Sequence, residues 1–272
     1  MTEKSKNISK SSHTKISNEV FNNPRKGGEK LYKEVYIQLV AKNSSFAKLA
    51  MEAQVEKMGA VNLAYELAKT AHRQQTRISG ERYFNHIKSV ATILITEFPT
   101  ISLEQVIAAL LHDVVEDSPI TMQTIENIFG SRVAYMVDAV TKKPDEYYLW
   151  PDEKDMYYAL SGSEQKEFLK SKKSSIKQRR TDHYFGHMAD LDAETLQVKF
   201  ADRIHNLRDL THCTVSKIKD QLQETETYIL PIAYKKNATA YNLMKKELEK
   251  LHKQVYGNTS KFKEYLATVL WE

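Results

Sequence analysis

The sequence predicts an all-α domain, because apolar residues recur at helical spacing from residue 31 onward and alternating β-branched runs are few. Only eight glycines and six prolines punctuate 272 residues, which leaves room for long helices. Taken in order, Ala64, Leu67, Ala68 and Ala71 form a stripe that leads to His72, and the polar turn Arg77-Ile78-Ser79-Gly80 interrupts it. A new helix then carries His86, Val90, Ile93 and Leu94. Ser102 with Gln105 reads as a capping box opening the apolar run Val106-Ile107-Ala108-Ala109-Leu110-Leu111, which delivers His112-Asp113, and Pro119 stops it soon after. Thr121 is the next expected N-cap. Gly130 separates that helix from the amphipathic run Ser131, Val133, Met136, Val137 and Val140. Residues 144–185 break the pattern with Pro144, Pro151 and Gly162 among Tyr, Asp, Lys and Ser, so a mobile connection, lid or insertion is expected there. Periodicity resumes with Leu196, Phe200, Ile204 and Leu207, and packing helices follow through Leu251.

Bulk properties narrow the class further. A 41% hydrophobic content suits one domain with a substantial core over 31–272. Cys213 is the only cysteine, so no intrachain disulfide is expected, and no run approaches the length of a membrane helix. A cytoplasmic protein is the expectation. The formal charge of +5 sits mostly in residues 1–30, where seven Lys/Arg face three Asp/Glu, leaving 33 basic and 32 acidic residues beyond. A near-neutral body argues against a nucleic-acid partner. The Ser/Asn/Lys-rich, aromatic-poor stretch 1–30 is expected to be a disordered basic tail. Homo-oligomerisation is left open.

The most informative segment is His112-Asp113 followed by Glu116-Asp117. In helical register His112 sits beside Glu116 and Asp113 beside Asp117, so four ligand-capable or acid/base groups project from one side of a largely buried helix. Buried carboxylates need compensation, and a divalent cation supplies it. Two His with two Asp suit a first-row divalent ion and leave positions for water or substrate. Glu116 and Asp117 fit acid/base groups that are not consumed as ligands.

In ordered blocks the chain resembles the hydrolase domain of the RelA/SpoT alarmone enzymes, within the wider HD superfamily. The blocks are Ala71-His72, Arg77, Ser79-Gly80-Glu81, Tyr83 and His86; Leu110 through Asp117; Phe129-Gly130 and Val137 through Lys142; Val198 through Arg208; and, more weakly, Glu224-Thr225 and Tyr228. The resemblance implies an HD-type helical bundle with its metal in a core cleft. It also implies removal of pyrophosphate from the 3′-diphosphate of guanosine tetraphosphate or pentaphosphate, usually with Mn2+. Position by position it implies His86, His112, Asp113 and Asp202 as metal ligands, and Glu116 and Asp117 as the pair that positions or activates water. It further implies Arg77 as a guanidinium stacked on the purine, Ser79 at the base edge, Asn206 near the metal and Lys142 for diphosphate charge.

Departures from the pattern bear on substrate. Only some forty residues follow the matched region, so no synthetase activity is expected and the chain looks like the small hydrolase-only members. Asn206-Leu207-Arg208-Asp209-Leu210 with Cys213-Thr214 is closest to the metazoan SpoT homologues. Ile78 stands where many members have a basic residue, and Ile87 where a proline is common. Two alternatives follow: the same site acting on NADPH or an adenosine alarmone, and a non-enzymatic, antitoxin-like nucleotide-binding partner.

Overall fold

The structure, a computed structural model, describes residues 29–269. The tail expected over 1–30 therefore lies outside the described residues, apart from its last two, which already belong to the first helix. Helices α1 (Glu29–Lys42), α2 (Met51–Ala71), α3 (Tyr83–Glu97) and α4 (Leu103–Leu111) form the first half of the bundle. The one-turn α5 (Val114–Asp117) follows, then α6 (Met122–Phe129) and α7 (Ser131–Val140). Three helices occupy the segment expected to be mobile: α8 (Pro151–Ala159), α9 (Gly162–Ser171) and α10 (Lys173–Met188). The second half comprises α11 (Ala193–Asp209), α12 (Val215–Glu224), α13 (Leu230–Lys236), α14 (Ala238–Tyr256) and α15 (Ser260–Val269). No strand occurs among the described residues, only an isolated bridge between Thr76 and Arg82, so the all-α expectation holds.

The centre of the bundle is α11. It packs against α3, α4, α7 and α14, and its residues Thr195 through Ile204 are buried without a break. Phe200, Ile204, Val198 and Leu196 each remove a large apolar side chain from water, an effect of about 1.5–3 kcal/mol apiece. Both ends of α11 are pinned. Asp192 caps its first turn by accepting from the N–H groups of Glu194 and Thr195, and Arg132 grips that carboxylate with two 2.9 Å bonds. At the other end Arg208 spans Glu97 on α3 and Glu247 on α14.

Helix α4 is buried along its whole length, as its sequence requires. Its capping box forms as expected, with Ser102 N–H donating to Gln105 Oε1 (2.7 Å) and Gln105 N–H donating to the Ser102 hydroxyl (3.2 Å). Gln105 reaches further. Its amide nitrogen donates to Glu194 O at 2.9 Å and to Gln197 Oε1 at 2.7 Å, locking α4 to α11. Thr121 caps α6. Gly130 takes φ +87°, a conformation that excludes a Cβ at little cost only for glycine, and so turns α6 into α7.

The segment 144–185 is folded rather than a bare connection. Tyr148, Leu149 and Ile176 form a small core of their own, with Tyr157, Phe168 and Leu169 packed on it. Glu153 ties the hairpin together by accepting from Trp150 N–H (2.9 Å) and pairing with Arg179 (2.8 Å) and Lys172 (2.9 Å). The turn chemistry that suggests a loop instead separates three short helices.

Gln105→Ala leaves Ser102 N–H, Glu194 O and Gln197 Oε1 without these bonds, and is expected to lower unfolding free energy by about 1–3 kcal/mol in urea denaturation. Glu153→Gln is expected to make 144–185 the first site of cleavage in limited proteolysis, with the melting of the main bundle unchanged.

Candidate metal centre

Four elements converge on one point. His86 sits in the first turn of α3, Asp202 in the middle of α11, and His112 and Asp113 in the break between α4 and α5. That break differs from the sequence expectation of one continuous helix. At Asp113 the backbone moves to φ −105°, ψ −1°, and only Asp117 N–H to Asp113 O (3.1 Å) preserves the helical contact. The kink turns His112 inward to the floor and leaves Asp113, Glu116 and Asp117 facing the cleft.

The donor atoms of His86, His112 and Asp202 lie within 4.8 Å of one another. Asp202 Oδ1 stands 3.4 Å from His86 Nε2 and 3.9 Å from His112 Nε2. Asp113 Oδ2 stands 3.0 Å from His112 Nε2 and 3.7 Å from His86 Nε2. Asp113 therefore adjoins the tight trio from the cleft side.

The donor set fits a divalent cation on observations independent of any relative. His112 Nδ1 donates to Ala109 O at 2.9 Å, while its Nε2 is buried and makes no hydrogen bond of acceptable geometry. A buried ring nitrogen facing two carboxylates without a well-aligned hydrogen bond fits a metal-ligand position. Burial pushes the His86 imidazole down to about 3, Asp202 notwithstanding, so this ring stays neutral. Burial alone would lower His112 too, but the charge of Asp113, with that of Asp202, raises it to about 9.

Each of the four residues is held from behind. Tyr83 donates its hydroxyl to Asp113 Oδ2 at 2.6 Å. Asn206 donates to Asp202 Oδ1 at 2.6 Å, and the Lys199 ammonium lies 3.2 Å from Asp202 Oδ2. His86 Nδ1 lies 2.9 Å from His205 Nδ1. His72, fully buried and stacked on Tyr83, binds Gln75, whose amide donates to Asp117 O at 3.2 Å. Sequence reasoning assigned no role to Tyr83, Lys199, His205 or His72. A lysine between buried Val198 and Phe200 was the readable signal for Lys199; the others depend on contacts across the fold.

A cleft of about 520 Å³ opens over the cluster. Arg77, Ser79, His86, Asp113, Glu116, Asp117, Lys142, Asp202 and Asn206 all border it, and His112 lies beneath. Arg77 is already engaged there, donating to Asn206 Oδ1 at 2.9 Å and pairing with Asp209 at 2.7 Å, with Tyr83's ring 5.7 Å from its guanidinium carbon. Gly80, at φ +84°, closes the turn that presents Arg77 and Ser79. Glu116 accepts the Lys142 N–H at 2.5 Å, which fixes both residues at the rim. Burial, then the Asp113 charge, raises the Asp117 carboxyl above its ordinary pKa; Glu116 is raised as well, again by burial first.

An all-α bundle whose buried His and Asp side chains meet at the base of a polar cleft defines a helical His–Asp metal-site protein. Comparison with known proteins gives the family: the HD domain profile matches residues 64–237. The chain belongs to the HD domain family. It is 32% identical over 188 residues to the bifunctional (p)ppGpp synthase/hydrolase SpoT of Escherichia coli, covering 69% of this chain and 23% of that protein. It is 32% identical over 200 residues to a guanosine-3′,5′-bis(diphosphate) 3′-pyrophosphohydrolase of Vibrio cholerae, covering 74% of this chain and 24% of that one. The chain thus spans about a quarter of the length of these relatives, and the RelA/SpoT resemblance read from its motifs holds. A solved structure described as a metazoan ortholog of SpoT shares the fold, with TM-score 0.52, 24% identity and coverage of 72% of this chain and 94% of that one. No helix among the described residues is long and apolar enough to cross a membrane.

Tyr83→Phe removes the hydrogen bond to Asp113 while keeping the ring, and is expected to weaken divalent-metal binding about 10-fold in calorimetric titration without lowering the melting temperature.

Proposed function

We propose that this chain is a metal-dependent pyrophosphohydrolase of guanosine tetraphosphate and pentaphosphate, and that Mn2+ is its working ion. One observation carries the reading. Glu116 and Asp117, two carboxyls not spent on the His/Asp cluster, border the same cleft as that cluster. The relatives' printed activity supports the choice of a guanosine bis(diphosphate) as substrate. The reading places the chain among small alarmone hydrolases acting in the cytoplasm, in keeping with a nucleotide substrate and a single cysteine.

His86, His112, Asp113 and Asp202 would hold the ion. When bound, such an ion neutralises phosphate charge and lowers the pKa of water beside it. The protein's own groups do the rest. Asp117, whose main-chain carbonyl accepts from Gln75 and whose carboxyl pKa is raised, would take the proton of the attacking water. Glu116, tied to the Lys142 backbone, orients that water. The water oxygen bonds to the phosphorus attached to the 3′-oxygen, the bond from phosphorus to the 3′-oxygen breaks, and the 3′-oxygen leaves as a hydroxyl on taking up a proton returned by Asp117 or by solvent. Pyrophosphate and GDP or GTP result. Lys142 sits at the rim near the pyrophosphate charge, and Arg77 and Ser79 form the base end, where a planar guanidinium suits a purine. Asn206 bridges the two ends.

A second reading keeps the site and changes the substrate. Ile78 borders the cleft 77% exposed beside Arg77 and Ser79, an apolar surface that offers no hydrogen bond to a base edge, so NADPH or an adenosine alarmone would suit this end as well as a guanosine substrate does.

Anion-exchange chromatography of guanosine tetraphosphate incubated with Mn2+ is expected to show GDP and pyrophosphate, and none after chelation. Turnover of NADPH or the adenosine analogue alone would move the substrate and keep the site. Asp117→Asn is expected to bind Mn2+ as the wild type does and to lose about 10²-fold or more in kcat. Arg77→Ala is expected to raise KM with little change in kcat, because stacking on the base acts equally in ground and transition states.

A further inference from the structure

We propose that Asp209 is a positioning residue for substrate, and that it acts by holding the Arg77 guanidinium as a preformed platform for a purine base. The inference rests on the reading of Arg77 as the base end of the cleft, and it names what prepares that end. Asp209 Oδ2 lies 2.7 Å from Arg77 Nε, and Asn206 Oδ1 accepts from Arg77 Nη2 at 2.9 Å. Two such bonds to a rigid, planar group fix its plane and leave its faces for stacking. The main chain of the same residue is fixed as well. Arg77 N–H donates to Glu81 O at 2.8 Å, and Gly80 N–H donates to Arg77 O at 2.9 Å. Arg77 and Asp209 both border the cleft, with the Arg77 side chain only 17% exposed.

The helix that carries Asp209 gains nothing from this residue by itself. Asp209 is the last residue of α11, where the unpaired carbonyls favour a cation and a carboxylate is repelled. The guanidinium from the turn after α2 supplies the positive charge that the helix end lacks. An arginine left free spreads over many rotamers, and a base that stacked on it would first have to order it. Asp209 completes that ordering before substrate arrives. It also decides which chemistry Arg77 offers. With Nε and Nη2 engaged, an edge that could clasp a phosphate is occupied and the charge is already paired, so what Arg77 presents is a face suited to a ring. Asn206 cannot take over the task, because its oxygen serves Nη2 and its nitrogen donates to Asp202.

The test titrates GDP and ADP, which carry a purine and need no turnover, into the full chain by calorimetry, and measures KM and kcat for guanosine tetraphosphate alongside. The variants are Asp209→Ala, Asp209→Asn, Arg77→Ala and the double variant of Arg77→Ala with Asp209→Ala. We expect Asp209→Ala to bind the preferred nucleotide about 10-fold more weakly, and to raise KM far more than it lowers kcat. Asp209→Asn, whose Oδ1 still accepts from Nε, is expected close to wild type, and Asp209→Ala added to Arg77→Ala is expected to change nothing more. A merely structural role would lower the melting temperature and act equally in both backgrounds. Wild-type or tighter binding by Asp209→Ala overturns the proposal, as does an equal loss in the Arg77→Ala background. If Asp209→Ala does not fold, Asp209→Ser, too short to reach Nε, takes its place in the same comparison. Arg77→Ala with wild-type affinity, or a wild type that binds neither nucleotide, overturns the base-end reading and this proposal with it. A weakened Arg77→Ala beside an unchanged Asp209→Ala overturns this proposal alone.

Discussion

The structure depends on compensating two carboxylates placed where water cannot reach them freely. Asp113 and Asp202 meet above His112 at the base of the cleft, and against their charge the protein sets the Lys199 ammonium and the His112 imidazole, with the neutral His86 ring beside them. Isolated, such charges would cost several kcal/mol each. The charge of Asp113, with that of Asp202, raises the His112 pKa against the effect of its burial, in the direction expected of a pocket that favours positive charge. A divalent ion would meet that demand better than a proton, since it could be shared by several of these side chains at once. The helices that carry those side chains must then be held at fixed separation. The clamps on α11 serve that end: Arg132 at its start, Arg208 at its finish, and Gln105 bracing it against α4.

Seen this way, the outer partners are as much part of the centre as the ligands. Tyr83, Asn206, Lys199, His205 and the Ala109 carbonyl each contact a polar atom of one residue of the His/Asp cluster. Those partners come from α3, α4 and α11, the same three elements that contribute most of the cluster. The site is therefore assembled by packing that the hydrophobic core enforces anyway, and its precision comes from Phe200, Ile204, Leu110 and Ile87 as much as from the polar residues above them.

Much of this was legible in the chain. The His112-Asp113, Glu116-Asp117 spacing, the Ser102–Gln105 box and the turn at Gly130 are local patterns, and local patterns survive in one dimension. What failed to show was of two kinds. The kink at Asp113 runs against an apolar periodicity that favours an uninterrupted helix, and it is tertiary demand at the site that breaks it. The helices of 144–185 were hidden because Pro151 and Gly162, residues that usually end structure, here start helices at N1 positions. Partnerships such as His86 with His205, separated by 119 residues, leave no trace in periodicity at all.

The polar groups form a continuous line along the cleft. Asp202 accepts from Asn206, Asn206 accepts from Arg77, and Arg77 pairs with Asp209. Asn206 can satisfy both neighbours only in one amide orientation, so the buried carboxylate of the His/Asp cluster and the guanidinium at the far end are fixed by the same side chain. On the proposed reading these are the ion's carboxylate and the base's guanidinium, and any coupling between the two ends would have to run in both directions. The element that joins them is α11, which carries Asp202, Asn206 and Asp209 on successive turns of one face.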